Sequence, residues 1–283
     1  MTLTLTSAAP AKINLSLRIL RKREDGFHEL VTRMAPLELA DEITISTDLH
    51  TGEIAFTCSD PTVPADERNL VIKAVRLLEK HHGPLPGLKI HLEKRIPHGA
   101  GLGGGSSDAA ITLQMVNQLA SLGLPDSVLA THAAELGSDV PFFLTNSICD
   151  CAGRGELVTP IASVPLRWRI LLIKLPFGVP TPWAYSQWKD STGIPGVDYG
   201  DQSLGGMILV NDLERPVFQK HFILAHLKTW LLEQPPVSAA LMSGSGSTVF
   251  AVLQENTDLA TLVEGIKEQI GNEVWIHETR LAV

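Results

Sequence analysis

Apolar and polar residues alternate along 11–19. Ala11, Ile13, Leu15, Leu17 and Ile19 fall on one side, and Lys12, Asn14, Ser16 and Arg18 on the other. This period of two predicts a strand. Taken alone, the face with Lys12 and Asn14 reads as solvated surface. Residues 21–26 break the pattern, and Phe27 and His28 open the next apolar run. Short strands are expected over 40–46 and 53–58, with a loop over 61–66. At Asn69 the period changes: Leu70, Val71, Ala74, Leu77 and Leu78 share one side of a helix. That helix ends near 81–86, where adjacent His81 and His82 read as an exposed terminus.

Residues 88–94 alternate again, as a half-buried strand does. A loop follows with five glycines from Gly99 to Gly105, then Ser106 and Ser107. Beyond it Ala110, Leu113, Val116, Leu119 and Ala120 recur at helical spacing until Gly123. The unit is strand, glycine loop, helix. Glycines let main-chain N–H groups turn inward, and a helix N-terminus adds unpaired N–H groups and partial positive charge. Together they suit a phosphate. The plainer reading is a flexible turn with Ser106 or Ser107 as helix cap.

Further on, a helix over 126–136 closes at Gly137. Asp139, two residues before Pro141, fits an ordinary N-cap. Residues 147–156 read as a strand and a turn at Gly153 and Gly155, and a domain boundary is placed there, giving segments 1–156 and 157–283. The second segment offers a buried strand at 169–175 and a long ordered loop or insertion at 176–201. Helical stretches are expected over 211–216 and 223–232. A second glycine-serine turn enters a strand within 241–252, then come a helix at 257–270 and a strand near 274–277. Helices and strands alternate without a regular βαβ repeat, which indicates an α+β fold in two domains.

Formal charge is −8 and no long basic run occurs, which argues against a nucleic-acid surface and for a small-molecule partner. No stretch is long and apolar enough to span a membrane, and the first residues lack the features of a signal peptide. A cytoplasmic protein is expected. Cys58, Cys149 and Cys151 give no disulfide framework, and Cys149 with Cys151 read as ordinary strand cysteines. Oligomeric state is not legible.

Gly99-Ala-Gly101-Leu-Gly-Gly104 matches G-x-G-x-x-G, but a dinucleotide fold needs a strand after the helix, ending in an acid about twenty residues on. Here Asp126 lies near that distance and opens a helix. No Gly-Lys-Ser/Thr of a Walker loop occurs, nor the His-Arg-Asp or Asp-Phe-Gly of protein kinases. A different nucleotide loop remains.

Three segments, Pro10-Ala-Lys-Ile-Asn-Leu, the loop from Pro97 to Ser107, and Ser243-Gly-Ser-Gly-Ser, resemble in order the three motifs of the GHMP small-molecule kinases. The resemblance implies a two-domain α+β kinase using ATP and Mg²⁺, with its site in the cleft between domains. Asp139 would be the base and Lys12 would stabilise charge on the transferring group. Pro97, Gly99, Gly101, Leu102, Gly103, Gly104, Gly105, Ser106 and Ser107 would hold the ATP phosphates, Ser106 or Ser107 approaching the metal, whose ligands stay unassigned. Asn69 and, less directly, Lys94 would lie near the base of the nucleotide. Asn14, Gly244 and Ser245 would meet the acceptor, and residues 244–247 would form the opposite wall. Asp25-Gly-Phe-His28, Leu136-Gly-Ser-Asp-Val-Pro141 and Pro180-Thr-Pro182 resemble the branch acting on a cytidine diphosphate-linked polyol of isoprenoid precursor synthesis. There Phe27 and His28 would sit at one side of the cytosine, His28 bonding its edge, and Tyr185 would close the other. Tyrosine is common in the family where Phe27 stands, so a contact through that hydroxyl is lost. A mevalonate- or homoserine-type kinase, or a non-catalytic nucleotide-binding protein on the same fold, are the alternatives.

Overall fold

The computed structural model describes residues 2–145, 147–162 and 166–282. Strands β1 (Thr4–Lys22) and β2 (His28–Leu49) form one long antiparallel hairpin. The separate strands expected at 11–19 and 40–46 are sections of it. Then come β3 (Ile54–Cys58), α1 (Leu70–His82), β4 (Gly87–Glu93), α2 (Gly104–Leu119) and α3 (Asp126–Leu136). A short 3₁₀ turn at Pro141–Leu144 leads to β5 (Cys149–Gly153) and β6 (Leu157–Pro160). The remainder is β7 (Arg169–Lys174), α4 (Thr181–Gln187), β8 (Gln202–Leu204), β9 (Met207–Asn211), α5 (Glu214–Lys220), α6 (Phe222–Leu232), β10 (Val237–Met242), β11 (Thr248–Leu253), α7 (Leu259–Ile270) and β12 (Trp275–Arg280).

An eight-stranded sheet runs β3-β4-β2-β1-β9-β8, with β5 joined to β2 and β6 to β5. It takes strands from both sides of residue 156. A second sheet runs β10-β11-β7-β12. Helices α1, α2 and α3 cover the first sheet through Val71, Leu78, Leu113, Val116 and Leu129 against Ile43, Ile45 and Ile90. Between the sheets Ala11, Ile13 and Leu15 pack on Ile170, Leu172 and Phe250. On the far side of the second sheet, Leu171, Ile173 and Val249 meet Leu224, Leu227 and Leu231 of α6. Among the described residues, no helix is long and apolar enough to cross a membrane.

Two expectations change. Segment 176–201 is not loop throughout, because Thr181-Pro-Trp begins the short helix α4 with a proline in its first turn, where the missing N–H costs nothing. The helical stretch expected from Asn211 begins only at Glu214, because Asn211 ends β9 (with 207–210, unassigned in the sequence), which runs parallel to β1 at Ser16 and Leu17. Cys149 and Cys151 are buried free thiols in β5, as expected.

One buried ion pair braces the second sheet. Lys228 Nζ lies 2.6 Å from Glu214 Oε2, and both side chains are almost wholly buried. Glu214 Oε1 also accepts from the Met242 N–H, so the pair fixes the end of β10 where the glycine-serine turn begins. Removing one partner of such a pair leaves a buried, uncompensated charge and costs about 3–5 kcal/mol. Lys228→Met should show a loss of that order in urea unfolding, and adding Glu214→Gln should restore part of it. A single-variant loss below about 1 kcal/mol would remove this bracing role.

Candidate active site

Lys12 and Asn14 come from the middle of β1, where residues 11–15 are all buried. Solvated surface, the reading for an isolated strand, therefore does not hold. Register shifts in the β1–β2 pairing fall between Pro10 and Lys12 and between Asn14 and Ser16. Such irregularities re-aim side chains beside sites. Lys12 Nζ donates to Asn14 Oδ1 at 2.6 Å, and Asn14 Nδ2 donates to Thr32 Oγ1 at 2.8 Å. The Thr32 hydroxyl donates in turn to the Ser16 carbonyl. This relay orients the amide and leaves the ammonium aimed at Asp139, whose Oδ2 lies 3.5 Å away and whose side chain is 40% exposed. Asp139 does not cap a helix, since the 3₁₀ turn starts behind Val140 with no side-chain cap.

The glycine loop is held from two sides. Lys12 N–H donates to the Leu102 carbonyl, and the Thr248 N–H donates to that of Ala100. Ser243 Oγ donates to the Gly101 carbonyl at 3.0 Å. A Cβ on Gly101 would lie 2.2 Å from the Ser243 carbonyl oxygen, and one on Gly103 would lie 2.7 Å from the Phe143 ring. Both glycines have positive φ, so they are required by conformation and by space. The N-cap of α2 is Gly103, with no side-chain cap bond, and this corrects the reading of Ser106 or Ser107 as the cap. The first N–H groups of α2 thus lack side-chain partners, as an anion-binding helix start requires.

One cavity of about 880 Å³ gathers these parts. Of the residues selected from sequence, Lys12, Asn14, Phe27, His28, Asn69, Lys94, Pro97, Gly99, Gly101, Leu102, Gly103, Gly104, Gly105, Ser106, Asp139, Tyr185, Gly244 and Ser245 all line it. Ser107 does not; its hydroxyl is buried without a partner. Nor does Ser247, whose hydroxyl donates to the Phe177 carbonyl. Asn69 caps α1 through the Val71 N–H and donates to the Pro64 carbonyl, fixing the 63–64 loop at the cavity wall.

The tip of the β1–β2 hairpin carries Phe27 and His28 to α4. His28 stacks on Tyr185 with ring centres 5.4 Å apart, and it meets Trp188 edge to face with ring centres 6.2 Å apart. His28 covers a face of Tyr185 here, so a base stacking on that face requires the two rings to part. Burial, then Lys22, lowers the His28 pKa, and its neutral ring can donate at one nitrogen and accept at the other. Phe27 is half exposed and lies under the Arg154 guanidinium, 4.8 Å from ring centre to Cζ. Arg154 lines the cavity and was read from sequence only as part of a turn.

Sequence reasoning also missed what supports the loop. Lys94 Nζ contacts Asp41 and lies 3.0 Å from Asp108 Oδ2, all three nearly buried beneath Gly104. Asp41 accepts as well from the N–H groups of Arg95 and Ile96. Asn211 Nδ2 donates to the Met242 and Gly244 carbonyls and so holds the second glycine turn. The partners are far apart in sequence, and no local pattern marks them.

The GHMP kinases N terminal domain matches residues 69–147, and the GHMP kinases C terminal domain matches residues 202–272. A 4-diphosphocytidyl-2-C-methyl-D-erythritol kinase of Methylacidiphilum infernorum is 43% identical over 274 residues, covering 96% of this chain and 95% of its own. The chain belongs to the GHMP kinase family. A relative of the same name from Shouchella clausii is 40% identical, covering 92% of this chain and 89% of its own. A crystal structure of 4-(cytidine 5'-diphospho)-2C-methyl-D-erythritol kinase superposes with a TM-score of 0.77 at 33% identity, over 98% of this chain and 99% of that one. A mevalonate kinase structure, 14% identical with a TM-score of 0.66 over 98% of this chain and 99% of that one, shares the GHMP kinase fold.

Burial pushes the Asp108 carboxyl up to about 7; Lys94 opposes the rise and Asp41 adds to it. The folded protein then holds a proton that the unfolded chain releases near pH 4, so this group's contribution to stability falls as pH rises from about 4 to about 7. Asp108→Asn should flatten the decline in Tm between about pH 4 and about pH 7. Parallel Tm profiles for the two proteins would contradict the raised value.

Proposed function

We propose that this GHMP kinase transfers the γ-phosphoryl group of ATP to the 2-hydroxyl of 4-diphosphocytidyl-2-C-methyl-D-erythritol, a step of non-mevalonate isoprenoid precursor synthesis. The observation that carries the reading is a single cavity. It has a glycine loop and helix start beside Lys12 and Asp139, and an aromatic His28–Tyr185 pair. The names of the relatives that span the chain support it. In this reading residues 1–156 carry the phosphate loop, residues 157–283 supply the facing wall, and the site lies in the cleft between them. A cytoplasmic location goes with this reading.

Phosphoryl transfer rests mainly on positioning and on stabilising charge. The loop N–H groups from Gly99 to Ser106 receive the ATP phosphates, with Asn69 toward the base, while Lys94, held by Asp41 and Asp108 beneath Gly104, braces the loop rather than reaching the base. Asp139 takes the acceptor proton, being half exposed and so within reach of a hydroxyl entering the cavity. Lys12 faces both Asp139 and the transferring group, while Asn14 holds the ammonium in place. Hard oxygen donors suit Mg²⁺, and Ser106 lines the cavity in the first turn of α2 while Ser107 does not, so Ser106 would be one residue that holds it. When bound, Mg²⁺ offsets phosphate charge. His28 bonds the edge of the cytosine, Phe27 and Tyr185 cover its faces, and Gly244 and Ser245 approach the acceptor chain. Thr181 Oγ1 lies 2.8 Å from Ser245 Oγ and fixes that hydroxyl.

Product mass from purified protein, Mg-ATP and a panel of polyol, mevalonate and homoserine acceptors tests the reaction. Only the cytidine diphosphate-linked polyol should gain a phosphate. Asp139→Asn should lower kcat by at least about 10²-fold with ATP affinity kept. Near wild-type kcat would reject Asp139 as base. His28→Ala should raise KM for the cytidine substrate well beyond any change in KM for ATP. Equal effects on both would place His28 outside the acceptor pocket.

A further inference from the structure

The end of α1 and one face of α3 bring together His81, His82, His132 and Glu135, none of which lines the 880 Å³ cavity. The residues read from sequence as an exposed helix end therefore have partners. One nitrogen from each of His81 and His132 and a carboxylate oxygen of Glu135 lie within 4.8 Å of one another. His81 Nε2 is 3.8 Å from Glu135 Oε2, and His132 Nδ1 is 3.9 Å from Glu135 Oε1. His132 and Glu135 are three apart on a helix and so share a face.

His132 is 5% exposed, and its Nδ1 is buried with no hydrogen-bond partner. A buried polar nitrogen without a partner needs an explanation. Its other nitrogen, Nε2, lies 2.9 Å from His82 Nε2. If His132 donates there, its Nδ1 presents a lone pair toward Glu135. Metal-ligating histidines are commonly arranged this way, with the second ring N–H held by a neighbouring acceptor.

We propose that His81, His132 and Glu135 form a site for a borderline divalent cation such as Zn²⁺, with His82 as the positioning residue for His132. Two imidazoles and one carboxylate suit zinc. Tetrahedral zinc with bonds of about 2.0–2.1 Å needs ligand atoms roughly 3.3 Å apart. The observed spacings close to that by rotation of two exposed side chains, His81 and Glu135, leaving the fourth position to water. The ion would clamp α1 to α3, and α1 carries Asn69 at its other end.

The test uses the full chain without a metal-binding tag, in buffer containing Mg²⁺. Equilibrium dialysis against ZnCl₂, read by elemental analysis, should give one zinc per chain. A saturating level of about 100 times Kd should raise Tm by about 5 °C. His81→Ala and Glu135→Gln should each weaken zinc binding at least tenfold and abolish the Tm rise, with kcat in zinc-free Mg-ATP unchanged. Co²⁺ in place of zinc should give the visible bands of a low-coordinate site in the wild type and lose them in the double variant. No zinc taken up by the wild type, or one zinc retained by the double variant, would overturn the assignment.

Discussion

A Cβ built on Gly101 would sit 2.2 Å from the carbonyl oxygen of Ser243, so two main chains touch there with no side chain between them. The Ser243 hydroxyl and the Thr248 N–H then satisfy the carbonyls of Gly101 and Ala100, which would otherwise be buried polar groups without partners. That approach sets the depth of the cavity. It holds the start of α2 opposite Gly244, and a Cβ there would come 3.5 Å from Lys12 Nζ and 3.4 Å from Asn14 Oδ1. The Lys228–Glu214 pair and Asn211 act upstream of it, because both fix the chain just before or within the second turn.

Three buried lysines divide the electrostatic work by the company they keep. Lys228 has one buried carboxylate and a backbone carbonyl, and its charge is spent on structure. Lys94 is shared by Asp41 and Asp108, an excess of negative charge that the fold relieves by favouring the protonated form of Asp108. Lys12 has an amide oxygen and a carboxylate that is 40% exposed, the least compensated of the three. In a chain of formal charge −8, such local positive potential is what an anionic ligand requires.

Much of this was legible where the signal is local. The strand before the glycine loop, the helix after it and the helix start at Asn69 follow from periodicity and from residues a few positions apart. The extent of β1 and β2 was not, and residues 11–15, although they alternate in polarity, are buried on both faces, so the alternation misstated which side meets water. Helix α4 was hidden in a segment rich in Pro and Gly, and β8 and β9 are too short to carry a period. Lys94 finds its carboxylates 53 and 14 residues away, and Arg33 pairs with Asp150 at a separation of 117. Such partnerships are set by topology. The order of the three motifs conveyed the cavity, while the residues that hold its walls gave no signal.

The contact between the two glycine turns joins residues 142 positions apart. Contacts of such separation close late, since they carry the largest loop entropy. During synthesis from the N-terminus the phosphate loop emerges complete but without its facing wall. At about 5–20 residues per second, the ribosome takes on the order of ten seconds more to deliver residues 243–248. Through that interval Ala11, Ile13 and Leu15 have no complete second sheet to cover them, although strands β1 to β5 can pair and helices α1, α2 and α3 can cover those strands as each is made. The nascent chain therefore passes through a window in which it exposes an apolar underside and has only one wall of the cavity.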